Sequence, residues 1–319
     1  MKTEIFVPTI KNDENGYMKL LKLANQIFEN PVRHFDFNFS QCSRLDHNAV
    51  VTLGALAHYV DSHNEMKPNL LAIQPLTVVK KAGVMFLVTT MTSVVRDSLE
   101  ENNFLSHFTS TDFSYESGSY IGYREHTSSL DADSIVEHLE NEWLSADKLN
   151  LSSKLKSAIV SRILEIYLNA YGHGIKLQQH RALGVYSCGQ YDSKTKQLHM
   201  SVLDFGLGIA QNVKNSIGIE DSVEALEWAV TKGNSTKTDS ISEDIPRGLG
   251  FDLLNQFVAV NNGKLSIYSN DVIASSNGSG GMNISAHKNY LRGTLVSITI
   301  HCDDRYYSFA SELKSTPFF

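Results

Sequence analysis

The sequence predicts an α/β protein in which a small alternating β/α unit precedes a larger region of helices and strands. Three observations carry that expectation. His34-Phe35-Asp36-Phe37-Asn38-Phe39 alternates polar and aromatic residues, the two-residue period of a half-buried strand. Val50, Val51, Leu53, Leu56, Ala57 and Val60 then recur at helical spacing. A long helical pattern over about 152–171 is followed by two further strand patterns at 184–190 and 197–203. At about 150 residues per domain, a chain of 319 residues fits two domains.

Along the chain, 33–39 is expected as a strand and Asp46 as the cap of a helix over 47–61. Residues 70–73 read as a second strand, 75–82 as the start of a second helix and 84–88 as further apolar structure. Ser, Thr, Tyr, Asn and Gly dominate 101–130 and apolar periodicity fades, which is the composition of a connector. Helical pattern returns from Asp131 through Val136, Leu139 and Trp143, breaks at Ser145-Ala146-Asp147, and resumes at 152–171 until Gly172 and Gly174 end it. The stretch 232–247 is rich in Ser, Thr, Asp and Gly and reads as a long flexible loop. A helix over 248–260, an Asn262-Gly263 turn and strands at 264–268 and 294–301 complete the pattern, with a Ser/Gly-rich excursion between those strands. The expected division is a β/α domain at 1–105, a connector at 106–130, a larger domain at 131–305 and a tail at 306–319.

Composition narrows the function classes. With 42% apolar and 20% charged residues the chain can bury a sizeable core, which excludes wholesale disorder. A net charge of −7 argues against nucleic acid as a partner, because wrapping a polyphosphate needs clustered Lys and Arg. Cys42, Cys188 and Cys302 form no CxxC pair, so reduced thiols are expected. The most apolar window, 78–95, is broken by Lys80 and Lys81, and early charges at Lys11, Asp13 and Glu14 leave no signal-peptide core. A cytoplasmic protein that does not span a membrane is the expectation.

Four pieces carry chemistry. Glu165, Asn169 and His173 stand at i, i+4 and i+8 on the long helix, and each step of four rotates only about 40°, so they share one stripe. Alone, such a stripe is a solvated helix face. Asp204-Phe205-Gly206-Leu207-Gly208 follows a strand in which Leu198, Met200 and Val202 alternate, so an acid is delivered at a strand end into a glycine turn. Arg247-Gly248-Leu249-Gly250 closes the flexible loop and opens a helix, whose bare N–H groups suit phosphate. Gly293-Thr294 opens a terminal strand.

In this order and spacing the four pieces resemble the GHKL ATPase superfamily of gyrase, heat-shock chaperone, histidine-kinase and mismatch-repair ATPases. The resemblance covers about residues 131–302 and implies a Bergerat-type α/β sandwich, with helices packed on one face of a mixed sheet. It implies that Asn169 holds Mg²⁺ against the phosphates of ATP, that Glu165 activates water as the catalytic residue, and that His173 belongs to the same N box. It further implies that Asp204 accepts the adenine amino proton within the first glycine box, which includes Gly206 and Gly208. Gly248, Leu249 and Gly250 resemble the second box, and Thr294 the position that reaches adenine directly or through water. Residues 231–247 are similar to the ATP lid, with Gly233, Ser235, Thr236 and Lys237 like that family's Gly-Ser-Thr-Lys stretch. Lys237 and Arg247 would neutralise phosphate as the lid closes.

The physics of these roles stands beside the resemblance. An Asn oxygen is a hard neutral ligand suited to Mg²⁺, and an ionised Asp offers only acceptors, which selects a base edge presenting an amino group. Asp204-Phe205-Gly206 also copies a protein-kinase sequence and His180-Arg181 lies upstream, but Ala182 stands where the catalytic Asp of that family would be. His107, His126 and His138 sit in no phosphoacceptor motif and read as surface or packing histidines.

Phe37-Asn38-Phe39-Ser40 and the helix that follows resemble, over about residues 30–100, the STAS domain of anti-sigma-factor antagonists. That resemblance implies a small STAS-like β/α domain. Asp46-His47-Asn48-Ala49 replaces that family's Asp-Ser-Ser-Gly run, so the phosphoacceptor hydroxyl is missing. The expected function is an ATP- and Mg²⁺-binding regulatory ATPase in which lid closure controls the meeting with a protein partner or a second copy of the chain. The alternatives are an anti-sigma-type serine/threonine kinase and a non-hydrolysing adenine-nucleotide sensor.

Overall fold

A computed structural model describes residues 2–64, 81–109, 120–127, 130–171, 184–234 and 250–313. The expected strand at 70–73 and most of the expected helix start at 75–82 lie outside these residues. The element order is β1 (Lys2–Phe6), α1 (Glu14–Phe28), β2 (His34–Asn38), α2 (His47–Asn64), β3 (Val84–Leu87), α3 (Ser93–Glu101), α4 (Phe104–Phe108), β4 (Tyr120–His126), α5 (Ala132–His138), α6 (Ser153–Asn169), β5 (Val185–Asp192), β6 (Gln197–Asp204), α7 (Ile209–Ile217), α8 (Ser222–Val230), α9 (Gly250–Val260), β7 (Lys264–Ser276), β8 (Met282–His301) and α10 (Ala310–Leu313). No helix among the described residues is long and apolar enough to cross a membrane.

Strands β1, β2 and β3 form a parallel sheet in that order. Parallel neighbours require crossovers, which α1 lies within and α2 begins. Asp13 caps α1 by accepting from the Gly16 N–H, and Tyr17, Leu20, Leu21, Ala24 and Ile27 line its buried face. Helix α2 has no polar face: 15 of its 18 residues are buried. The reason is its position. One side packs on the three-stranded sheet, and the other meets β5 and β6 of a second sheet.

That second sheet has the order β4-β5-β6-β8-β7 and is antiparallel at every pairing. Two expectations are corrected here. The sheet is not mixed, because the short turns at 193–196 and 277–281 join neighbours that must run in opposite directions. Nor are helices confined to one face. Leu198, Met200 and Val202 of β6 share a core with α6 and α9, whereas Leu203 and the following Phe205 share one with α1 and α2.

Two further stretches depart from expectation. The connector at 106–130 is not featureless: it includes the end of α4 and all of β4, the edge strand beside β5. The excursion between 268 and 294 is a long hairpin. Asn270 adopts φ 57°, the ladder shifts register there, and the hairpin folds back on itself. Ser276 Oγ accepts from the Leu265 N–H at 3.1 Å, and the Ser266 and Ser275 hydroxyls lie 3.4 Å apart.

The contact between the two halves is polar where α2 begins. His47 Nδ1 and Ser201 Oγ of β6 share a hydrogen bond of 3.0 Å, and the His47 ring stacks on His199 at 5.3 Å. His199 Nδ1 and Thr299 Oγ1 of β8 lie 2.9 Å apart. Burial, then the neighbouring His199, holds His47 well below the usual histidine range. Asp46 precedes α2 as expected but does not cap it with its side chain. Its carboxylate accepts instead from the Asn12 N–H at 2.8 Å and from Arg44 Nε at 2.6 Å. Asp46, His47 and Asn48 are all buried, so the position that carries a phosphoacceptor in the STAS resemblance is enclosed.

The halves also approach closely along α2. A Cβ at Gly54 would overlap the Tyr123 hydroxyl of β4. Gly54→Ala is therefore expected to destabilise the protein by about 1–3 kcal/mol in urea unfolding, although alanine is the better helix former. Combined with Tyr123→Ala it should cost less than the sum of the single changes. A more stable Gly54→Ala protein would contradict the packing.

Candidate functional site

The geometry begins where β6 ends. Asp204 pairs with Thr294 across the β6–β8 ladder. The two-residue period places its side chain on the face of Leu198, Met200 and Val202, under α6 and α9. Asp204 and Thr294 are 4% and 7% exposed. Burial raises the Asp204 carboxyl from the ordinary 3.8 to about 7, against the opposing pull of the Gly206 and Thr294 backbone N–H groups. The Gly206 N–H donates to Asp204 Oδ1 at 2.7 Å.

Glycine is required around this acid. Gly293 has φ +100°, and a Cβ there would overlap the Asp204 carbonyl. Gly208 has φ +82° and is the N-cap of α7, so it offers no side chain to cap that helix. The caps come from β7. Ser269 Oγ accepts from the Ile209 N–H at 2.7 Å and Asn270 Oδ1 from the Gln211 N–H at 3.0 Å. Asn270 Nδ2 donates to the Leu207 carbonyl at 2.9 Å. The Asp204–Gly208 turn is thereby fixed from both sides, and the first N–H groups of α7 are already occupied. Ser269 and Asn270 are residues that strand patterning does not single out. The available signal is an Asn, which tolerates left-handed backbone, at the end of an apolar run.

Helix α6 supplies the second half of the arrangement. Ser152 caps it by accepting from the Leu155 N–H at 3.1 Å, and Leu155, Ile159, Ile163 and Ile166 form its buried stripe. Tyr167 meets His126 of β4 edge to face at 5.6 Å. Glu165 and Asn169 stand two residues to either side of Tyr167, about 160° round the helix. They therefore lie on the flank of α6 turned away from β4. Arg162 Nη1 donates to Glu165 Oε2 at 3.1 Å, and the Glu165 side chain is 26% exposed. His126 titrates near 4, lowered by burial and then by the adjacent Arg124 and His138, so it is neutral.

Of the expected site residues, the structure brings Asp204, Gly206, Gly208 and Thr294 into one turn-and-ladder unit, and places Glu165 and Asn169 on the helix layer above the same face. Helix α9 is described from Gly250, and the expected start at 248 lies outside the described residues. His173, Lys237, Arg247, Gly248 and Leu249 lie outside the described residues. Among the described residues no group of three or more His, Cys, Asp or Glu could hold a metal ion. The three cysteines are free thiols and buried. No family model and no curated protein matches the sequence.

The raised Asp204 carboxyl has a measurable consequence. Between about pH 4 and pH 7 the folded protein keeps a proton that the unfolded chain has released, so this group's contribution to stability falls as pH rises through that window. Asp204→Asn carries no titrating group. Relative to the parent it should gain about 1–4 kcal/mol of unfolding free energy between about pH 4 and pH 8, read from urea titrations at each pH. An unchanged difference would mean that Asp204 ionises normally.

Proposed function

We infer that the chain is an adenine-nucleotide-binding regulatory ATPase. The observation that carries this reading is the buried Asp204–Thr294 pair, where β6 ends against the middle of β8, set on the sheet face that α6 and α9 cover. The donor set fits the group. A desolvated carboxylate, engaged at Oδ1 by Gly206, is stabilised by an amino group, so Asp204 receives the exocyclic N–H of adenine and Thr294 flanks it. Asn169 provides a neutral oxygen for Mg²⁺, which keeps phosphate oxygens and waters as its remaining ligands. When bound, ATP supplies a terminal phosphoanhydride whose cleavage is the reaction. Glu165 orients and deprotonates the attacking water, and α6 holds Glu165 and Asn169 one turn apart for those two tasks.

A route from this site to the first half is built into β6. The strand that ends in Asp204 presents Ser201 and His199 on its other face to His47, at the start of α2. Nucleotide binding at Asp204 would be felt by the β/α unit through that strand, and through it by a protein partner or a second copy of the chain. One observation favours the non-hydrolysing sensor: Arg162 engages the Glu165 carboxylate, which competes with its use as a base.

A pair of variants separates these readings. Glu165→Ala should bind ATP as tightly as the parent in calorimetry, while phosphate release falls about 10²- to 10⁴-fold. Asp204→Asn should weaken ATP binding about 10- to 100-fold. Undiminished phosphate release by Glu165→Ala would remove Glu165 from the mechanism. A parent protein that binds ATP without any phosphate release would establish the sensor.

A further inference from the structure

The boundary between the two halves changes character along α2. Near the end of the helix, Tyr59 meets Phe205 and Phe28 edge to face at 6.0 and 5.0 Å, contacts that do not depend on proton uptake. At the first residue the contact is made by imidazoles. His47 is 2% exposed, and its ring stacks on that of His199 with an interplanar angle of 12°. Ser201 engages His47 Nδ1, and His47 Nε2 is buried with no hydrogen-bond partner. A neutral ring there already forfeits one hydrogen bond, and a charged ring would be a desolvated cation against a second imidazole.

His199 sits in a network that uses its Nδ1 as an acceptor. The hydroxyls of Tyr17 and Ser297 donate to Asn12 Oδ1 at 2.9 and 3.4 Å, which turns Asn12 Nδ2 toward His199 Nδ1 at 3.3 Å. Thr299 Oγ1 reaches the same nitrogen at 2.9 Å. A proton on Nδ1 would face the Asn12 donor, so proton uptake breaks the link from the segment before α1 to β6. Charged and titratable groups face this pair from several elements. Asp46 and Arg44 precede α2 and bind each other, Asp192 ends β5, and Tyr17 comes from α1, while β8 supplies the hydroxyls of Ser297 and Thr299. Burial lowers His199 from the ordinary histidine value, although Asp46 and Asp192 oppose it.

Opening this contact returns both rings to water, where histidine titrates at about 6.5. The closed contact keeps the rings neutral and the open one charges them below that value, so acid favours the open form. We propose that the start of α2 is an acid-opened joint: proton uptake by His47 and His199 lifts the first turn of α2 and the Asn12 segment off β6 and β8, while the core under α6 and α9 stays folded. The joint does not rest on the nucleotide reading, because no residue of the Asp204 turn takes part in it.

The chain carries its own reporters. Cys188 stands directly opposite Ser201 in the β5–β6 ladder, inside the core shared with α2, whereas Cys302 belongs to the core under α6 and α9. The test labels the thiols of the full chain with dithiodipyridine, resolves them by peptide mass spectrometry, and divides each rate by that of the urea-unfolded chain at the same pH. From about pH 6 to about pH 5, Cys188 labelling should rise between about 10- and 100-fold, near tenfold for each histidine, while Cys302 stays protected. His199→Gln should hold the rise below about tenfold. In the parent, imidazole nitrogen shifts should show both rings neutral while Cys188 is protected. Flat Cys188 labelling across that range, exposure of Cys302 in parallel, an undiminished rise in His199→Gln, or both rings titrating at the ordinary value with Cys188 still protected would each overturn the proposal.

Discussion

Everything in this structure depends on one packing constraint: helix α2 is enclosed between two sheets. A helix in that position cannot keep a polar face, which is why the central stretch of α2, residues 49–57, is apolar or small all the way round. Side chains buried in this way contribute about 1.5–3 kcal/mol each, so the interface is a large part of what holds the chain together. The core it creates is shared. Phe37 and Leu56 from the first half belong to one cluster with Tyr186, Leu203, Phe205 and Leu295 from the second. The five-stranded sheet is thereby covered on both faces, and polar groups on its inner side find partners across the boundary, Ser201 in His47 and His199 in Asn12.

Much of this was legible in local pattern, and the remainder was not for identifiable reasons. The alternation at 34–39 and the helix at 47–61 correspond to β2 and α2, because each carries its own apolar period. The strand into Asp204 and its glycine turn were legible for the same reason. Strand β1 and helix α1 were overlooked although Asp13 and the spacing of Tyr17, Leu20, Ala24 and Ile27 mark the helix plainly. Strand β4 could not be read locally. It is an edge strand in a Ser- and Gly-rich stretch, and its partner β5 lies some sixty residues away. The antiparallel hairpin beyond Tyr268 was hidden by half-exposed polar residues and by a bend that depends on the backbone of Asn270.

The candidate site divides in the same way. Asp204, Gly206, Gly208 and Thr294 were found by motif because strand ends and glycine turns are local features. The groups that fix them, Ser269 and Asn270, come from a strand that follows some sixty residues later and are visible only in three dimensions. Placing the acid on a rigid ladder, with its turn tied down by side chains from β7, gives a preorganised acceptor. Helix α6 is attached to the same face of the sheet by apolar contacts.

The fold-back at Asn270 also bears on how this chain can associate. Serine hydroxyls of its own continuation occupy the outer margin of β7, and at the opposite margin the Asn102 carbonyl takes the Tyr123 N–H. A flank closed in this way offers little template for strand addition, the commonest route by which sheets extend between molecules. Assembly through the five-stranded sheet must then use side-chain surfaces, where recognition is set by shape and charge.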